Sequence, residues 1–119
     1  RRGQLEQVTQ DHSLLNEYLK LNLLTPEEAE TFPMKNVIVR ALGLADGVEV
    51  ELGKRTAQKG DRLMLCSDGL SDLVKDEKIA EVFESGGEPQ VQVEALIQLA
   101  LDAGGRDNVT VLVAEVEDV

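Results

Sequence analysis

A chain of 119 residues with 42% hydrophobic side chains suits one small domain with a modest core. Its 12 basic side chains against 23 acidic ones leave a formal charge of −11, which repels a nucleic-acid backbone, and one Tyr, two Phe and no Trp make a poor stacking platform for single strands. Nucleic acid is therefore not an expected partner. Nor is a membrane, because no apolar stretch approaches the roughly 20 residues that a spanning helix needs, and Arg1-Arg2-Gly3-Gln4 leads into no signal-peptide core.

Along the chain, Gln4 to Val8 reads as a short strand. Asp11-His12-Ser13 then offers capping side chains ahead of Leu14, Leu15, Tyr18 and Leu19, whose spacing predicts a helix from near Ser13. Thr25-Pro26-Glu27-Glu28 supplies a cap hydroxyl, a proline at the first helical position and a glutamate at the third, so a second short helix is expected, ended before Pro33. Asn36 to Leu42 is too short for its periodicity to separate strand from helix. Val48-Glu49-Val50-Glu51-Leu52 alternates and predicts a half-exposed strand.

Arg62-Leu63-Met64-Leu65-Cys66 is a continuous apolar run between turn signals and reads as a buried strand ending at Ser67-Asp68-Gly69. Ile79, Val82 and Phe83 mark a helix closed by Gly86-Gly87. Val91, Ala95, Leu96, Leu99, Ala100 and Ala103 mark another closed by Gly104-Gly105. Val109 to Val116 reads as a final, fully buried strand. Cys66, the single cysteine, has no internal partner; it fits a reducing, cytoplasmic setting and a buried, inert thiol.

Two carboxylates stand at strand ends, Asp68 at the exit of one and Asp107 at the entrance of the last. A carboxylate withdrawn from water needs a cation or several donors, and the neighbouring Gly69 and Gly105 permit close approach of backbone or ligand. One shared metal satisfies both. Asp-Gly and Gly-Arg-Asp-Asn are also ordinary turn compositions, so the residues alone leave metal ligand and turn cap open, with turns the commoner case. Other chemistries fail on spacing. A calcium loop counted from Asp68 meets Leu73 where glycine belongs and Ile79 where glutamate belongs. Gly43 to Gly47 lacks the dinucleotide pattern, and His12 beside Ser13 is no triad.

Four runs occur in one order: Thr9-Gln10-Asp11-His12-Ser13, Arg40-Ala41-Leu42-Gly43, Gly60 through Asp72, and Gly104-Gly105-Arg106-Asp107-Asn108-Val109-Thr110. Together they resemble the metal-dependent protein phosphatases (PPM, type 2C) of bacterial type, over essentially the whole chain. The resemblance implies an α+β fold, part of an α-β-β-α sandwich of antiparallel sheets flanked by helices, of which this chain retains three or four strands. Residues 1–119 correspond to the C-terminal half of one such domain, with residues 14–42 similar to its variable flap.

The resemblance further implies two or more Mn2+ or Mg2+ ions in the intact domain, activating water against phosphoserine or phosphothreonine. Asp68 and Asp107 correspond to metal ligands, with Asn108 and Gly69 beside them. The implied partners are phosphoserine and phosphothreonine proteins, such as the substrates of a cognate serine/threonine kinase. The family's Asp-Gly-x-Gly-Gly segment, early phosphate-binding arginine and general-acid histidine are not in this sequence. The chain alone is therefore expected to be inactive and to self-associate through uncovered core. The alternative reading is a non-catalytic, phosphatase-derived interaction module.

Overall fold

The computed structural model describes residues 1–118. They form two compact units, one comprising Arg1–Glu6 with the chain from Arg55 onward, the other Gln7–Lys54.

The unit Gln7–Lys54 carries two short helices, α1 (Leu14–Lys20) and α2 (Pro26–Glu30). Both begin where the capping signals put them. The Ser13 hydroxyl accepts the Asn16 N–H at 3.2 Å, and Thr25 and Glu28 form a reciprocal capping box behind Pro26. Tyr18 and Phe32 meet edge to face with ring centroids 5.4 Å apart. The segment left undecided, Asn36 to Leu42, is neither helix nor strand: a lone antiparallel bridge pairs Ser13 with Ile38, flanked by Leu14 N–H to the Val37 carbonyl at 2.7 Å and Val39 N–H to the His12 carbonyl at 2.8 Å. His12 Nε2 lies 2.8 Å from Glu51 Oε2, a bond that holds the Glu51 carboxyl below its ordinary range.

Two expected strands are not strands. Val48 to Leu52 is irregular, with Val50 and Leu52 exposed, and so is Gln4 to Val8. Alternation marks a segment able to lie on a sheet, but a strand exists only when a neighbour takes its N–H and C=O groups, and neither segment has such a neighbour among the described residues.

The larger unit holds β1 (Arg62–Cys66), α3 (Asp68–Ser71), α4 (Asp76–Glu84), α5 (Pro89–Asp102) and β2 (Val111–Glu115). The chain is thus α+β, with two strands rather than three or four among the described residues. They pair antiparallel from Arg62 opposite Glu115 to Cys66 opposite Val111. Gly60 N–H to the Val116 carbonyl at 2.8 Å and Val116 N–H to the Asp61 carbonyl at 2.9 Å continue the pairing past the first of these. The helices end where the glycines are: Gly86 has φ 72°, and Gly105, at φ 54°, donates its N–H to the Ala100 carbonyl at 3.0 Å.

The core lies between the sheet and α3–α5. Leu70, Val74, Ile79, Leu96 and Ala100 are buried, and Met64, Val111 and Val113 pack against them from one face of the sheet. The other face is open. Leu63, Leu65 and Leu112 are 49%, 64% and 54% exposed, which corrects the expectation of two fully buried strands. Cys66, expected to be buried, is exposed as well. For the three leucines the cause is shared: a strand is apolar on both faces when both are destined for cover, and within this chain the helices cover only one, whereas Cys66 lies on the Met64 face at the last position of β1, opposite Val111.

At the start of β1, Arg1 grips Asp61 with both arms of its guanidinium, Nε to Oδ1 at 2.7 Å and Nη2 to Oδ2 at 2.6 Å, while Gln58 N–H donates to the same carboxylate at 2.8 Å. The guanidinium holds the Asp61 carboxyl far below the usual carboxylate range.

Candidate metal centre

Antiparallel pairing brings the C-terminus of β1 and the N-terminus of β2 to one end of the sheet. Beyond the last registered pair, Cys66 with Val111, Ser67 N–H donates to the Thr110 carbonyl at 2.9 Å. Asp68 follows immediately as the first residue of α3, and Asp107 lies three residues before Thr110. Both aspartates are exposed, Asp68 on the first turn of α3 and Asp107 on the loop before β2, and the two segments are laced together by main-chain and hydroxyl bonds.

Gly69 makes that lacing possible. It is buried, and a Cβ built on it would interpenetrate the Asn108 carbonyl oxygen and stand 2.9 Å from the carbonyl carbon. Only a residue without a side chain lets the start of α3 lie flat against the Asn108 backbone. Asn108 donates its N–H to Asp107 Oδ1 at 2.7 Å and accepts the Ser67 hydroxyl on its carbonyl at 3.3 Å. These ties of Asn108 are made by its main chain.

The donor chemistry is that of a hard divalent cation. Mg2+ takes carboxylate and water oxygens in near-octahedral geometry, and Mn2+ shares the preference for oxygen. Asp68 and Asp107 fit part of such a shell. No group of three His, Cys, Asp or Glu side chains able to hold a metal stands together among the described residues. A complete ligand set therefore needs oxygens beyond these clusters.

Sequence reasoning assigned no role to Ser67, although it lies between the apolar run and Asp68. It also missed the Arg1–Asp61 pair, whose members are 60 residues apart and carry no local signal of each other.

The sequence profile of the family described as stage II sporulation protein E (SpoIIE) matches residues 20–117. The chain belongs to this SpoIIE/PPM-type phosphatase family. Protein phosphatase PhpP of Streptococcus pneumoniae is 39% identical over 112 residues, covering 94% of this chain and 46% of PhpP. Serine/threonine protein phosphatase PstP of Mycobacterium tuberculosis is 47% identical over 120 residues, 99% of this chain and 23% of PstP. The chain thus spans less than half the length of these curated relatives.

Among solved structures, the M. tuberculosis phosphatase PstP/Ppp superposes with a TM-score of 0.92 at 45% identity, over 99% of this chain and 49% of that one. The PstP catalytic domain in complex with two manganese ions matches with a TM-score of 0.84 at 45% identity, over 99% and 48%. The PPM Ser-Thr phosphatase MsPP of Mycobacterium smegmatis matches with a TM-score of 0.83 at 35% identity, over 98% and 50%. No helix among the described residues of this family member is long and apolar enough to cross a membrane.

Proposed function

We propose that this chain supplies part of the metal site of a serine/threonine protein phosphatase, with Asp68 and Asp107 as ligands of Mn2+ or Mg2+ and Asn108 and Gly69 fixing the loop that carries Asp107. One observation carries the reading: the β1 exit and the β2 entrance are bonded to each other, so two carboxylates expected from the family motifs emerge at one end of the sheet. The likeness to a phosphatase solved with two manganese ions supports the choice of metal.

A bound divalent ion supplies charge neutralisation for phosphoryl oxygens and lowers the pKa of water in its shell. Asp68 and Asp107 hold and orient their oxygens, and the Asn108 N–H keeps one Asp107 oxygen turned toward the main chain. Phosphoserine and phosphothreonine proteins are the substrates, among them those of a cognate serine/threonine kinase, in a cytoplasmic signalling setting. The single cysteine, with its thiol exposed, suits that reducing compartment. Residues 14–42 are the flap of the domain. The open face at Leu63, Leu65 and Leu112 supports self-association of the chain on its own, and a monodisperse monomer in sedimentation would contradict it.

The test is manganese-dependent hydrolysis of a phosphothreonine peptide by the chain alone and after mixing with the complementary half of a PstP-type domain. Activity in the mixture only, abolished by Asp68→Asn or Asp107→Asn, is the expected result. The lack of a three-ligand cluster among the described residues favours a second reading, a non-catalytic module that binds phosphoprotein. Silence from demonstrably associated halves would establish that reading instead.

A further inference from the structure

Ser67 occupies the N-cap position of α3, where a serine hydroxyl ordinarily accepts an N–H from the first turn of its own helix. It makes no such bond. Its Oγ instead accepts the Thr110 N–H at 3.0 Å and donates to the Asn108 carbonyl at 3.3 Å, partners 43 and 41 residues away. A hydroxyl is both donor and acceptor, so this one side chain serves an N–H and a C=O of the opposite loop at once.

The consequence falls on the aspartates. Ser67 immediately precedes Asp68. The carbonyl it binds belongs to Asn108, whose N–H holds Asp107 Oδ1 and whose carbonyl lies against Gly69. Removing the hydroxyl leaves the single main-chain bond from Ser67 to Thr110 at that step and frees the Asn108 peptide to turn, carrying Asp107 with it.

We propose that Ser67 is a positioning residue for the divalent cation, its hydroxyl diverted from capping α3 to fixing the spacing of the loops that present Asp68 and Asp107. The proposal rests on the metal-site reading above and adds a residue that acts through the two ligands rather than on the ion. Threonine keeps the hydroxyl and suits the extended backbone here, φ −78° and ψ 166°. Alanine has no hydroxyl, and cysteine offers only a weak donor and acceptor.

The experiment compares wild type with Ser67→Ala, Ser67→Thr and Ser67→Cys, each associated with the complementary half of a PstP-type domain, by two readouts. One is amide hydrogen exchange at Thr110 without metal; the other is paramagnetic broadening of the Asp68 and Asp107 amide signals on titration with Mn2+. Wild type and Ser67→Thr are expected to show protected Thr110 and joint broadening. Ser67→Ala is expected to lose the protection and to bind Mn2+ about 10–100-fold more weakly, the usual effect of removing a group that orients metal ligands. Ser67→Cys should fall between, and it carries the comparison if the alanine protein does not fold. Equal Mn2+ affinity in wild type and the hydroxyl-free variants overturns the proposal while leaving the metal site standing, as does failure of threonine to restore binding. No broadening at Asp68 and Asp107 in wild type overturns the metal-site reading and this proposal with it.

Discussion

Replacing Gly69 with alanine puts a methyl group where the Asn108 carbonyl now lies. The new Cβ would overlap the carbonyl oxygen, sit 2.9 Å from its carbon and approach Val109 Cγ2 to 3.3 Å. The first two are main-chain atoms, which cannot swing aside as the end of a flexible side chain does, so the whole Asn108 peptide must retreat. Overpacking of this kind costs about 1–3 kcal/mol, and overlap with backbone belongs at the upper end. Alanine returns about 1 kcal/mol as the better helix former in α3, leaving a net loss of about 2 kcal/mol. The melting temperature should then drop by on the order of 10 °C. Urea unfolding should show a lower midpoint with an unchanged slope, and the Asp107 amide resonance should shift because its loop has been pushed outward. An unchanged midpoint together with an unmoved Asp107 signal would refute the claim that close approach at Gly69 sets the position of that loop.

Leu96 is fully buried in α5, and Leu96→Ala should cost about 2–5 kcal/mol in the same urea assay through the cavity it leaves. The Arg1–Asp61 pair makes stability depend on acid. Because the folded Asp61 carboxyl is held below its unfolded value of about 4, its contribution is complete above that pH and is lost as pH falls toward the folded value. Asp61→Asn should flatten that part of the decline in urea midpoints measured from about pH 5 downward, and a decline as steep as wild type would refute the assignment. Thr25→Ala removes the hydroxyl of the α2 capping box and should cost that helix about 1 kcal/mol, read as faster exchange of the Glu28 amide.

What could be read from the sequence was local. Ser13, the Thr25-Pro26-Glu28 group and the paired glycines at 86–87 and 104–105 act within a few residues of themselves, and each helix boundary they announced is where the structure has it. The apolar runs at 62–66 and 109–116 located β1 and β2 but misjudged their cover, since a run records what a strand can bury and not what lies opposite it. Val48 to Leu52 misled in the same way, a strand pattern without a strand beside it. For the candidate site, the motifs pointed to Asp68 and Asp107, and antiparallel pairing supplied what the residues alone could not, a common end of the sheet. The role of the Ser67 hydroxyl was hidden because its ordinary partner is local and its actual partners are not.

The pairing of β1 with β2 also sets an order of assembly. Between the two strands lie three helices, α3 to α5, which can form from nearby contacts on the microsecond scale. The strands meet only after the intervening chain has closed into a loop, an entropic cost met before any rung of the sheet repays it. Asp68 and Asp107 come to one end of the sheet only at that late step. A chain with its helices formed and its strands apart would look largely native by far-ultraviolet dichroism yet hold its two aspartates apart, so on the proposed metal-site reading metal affinity would report completed folding where helix content does not.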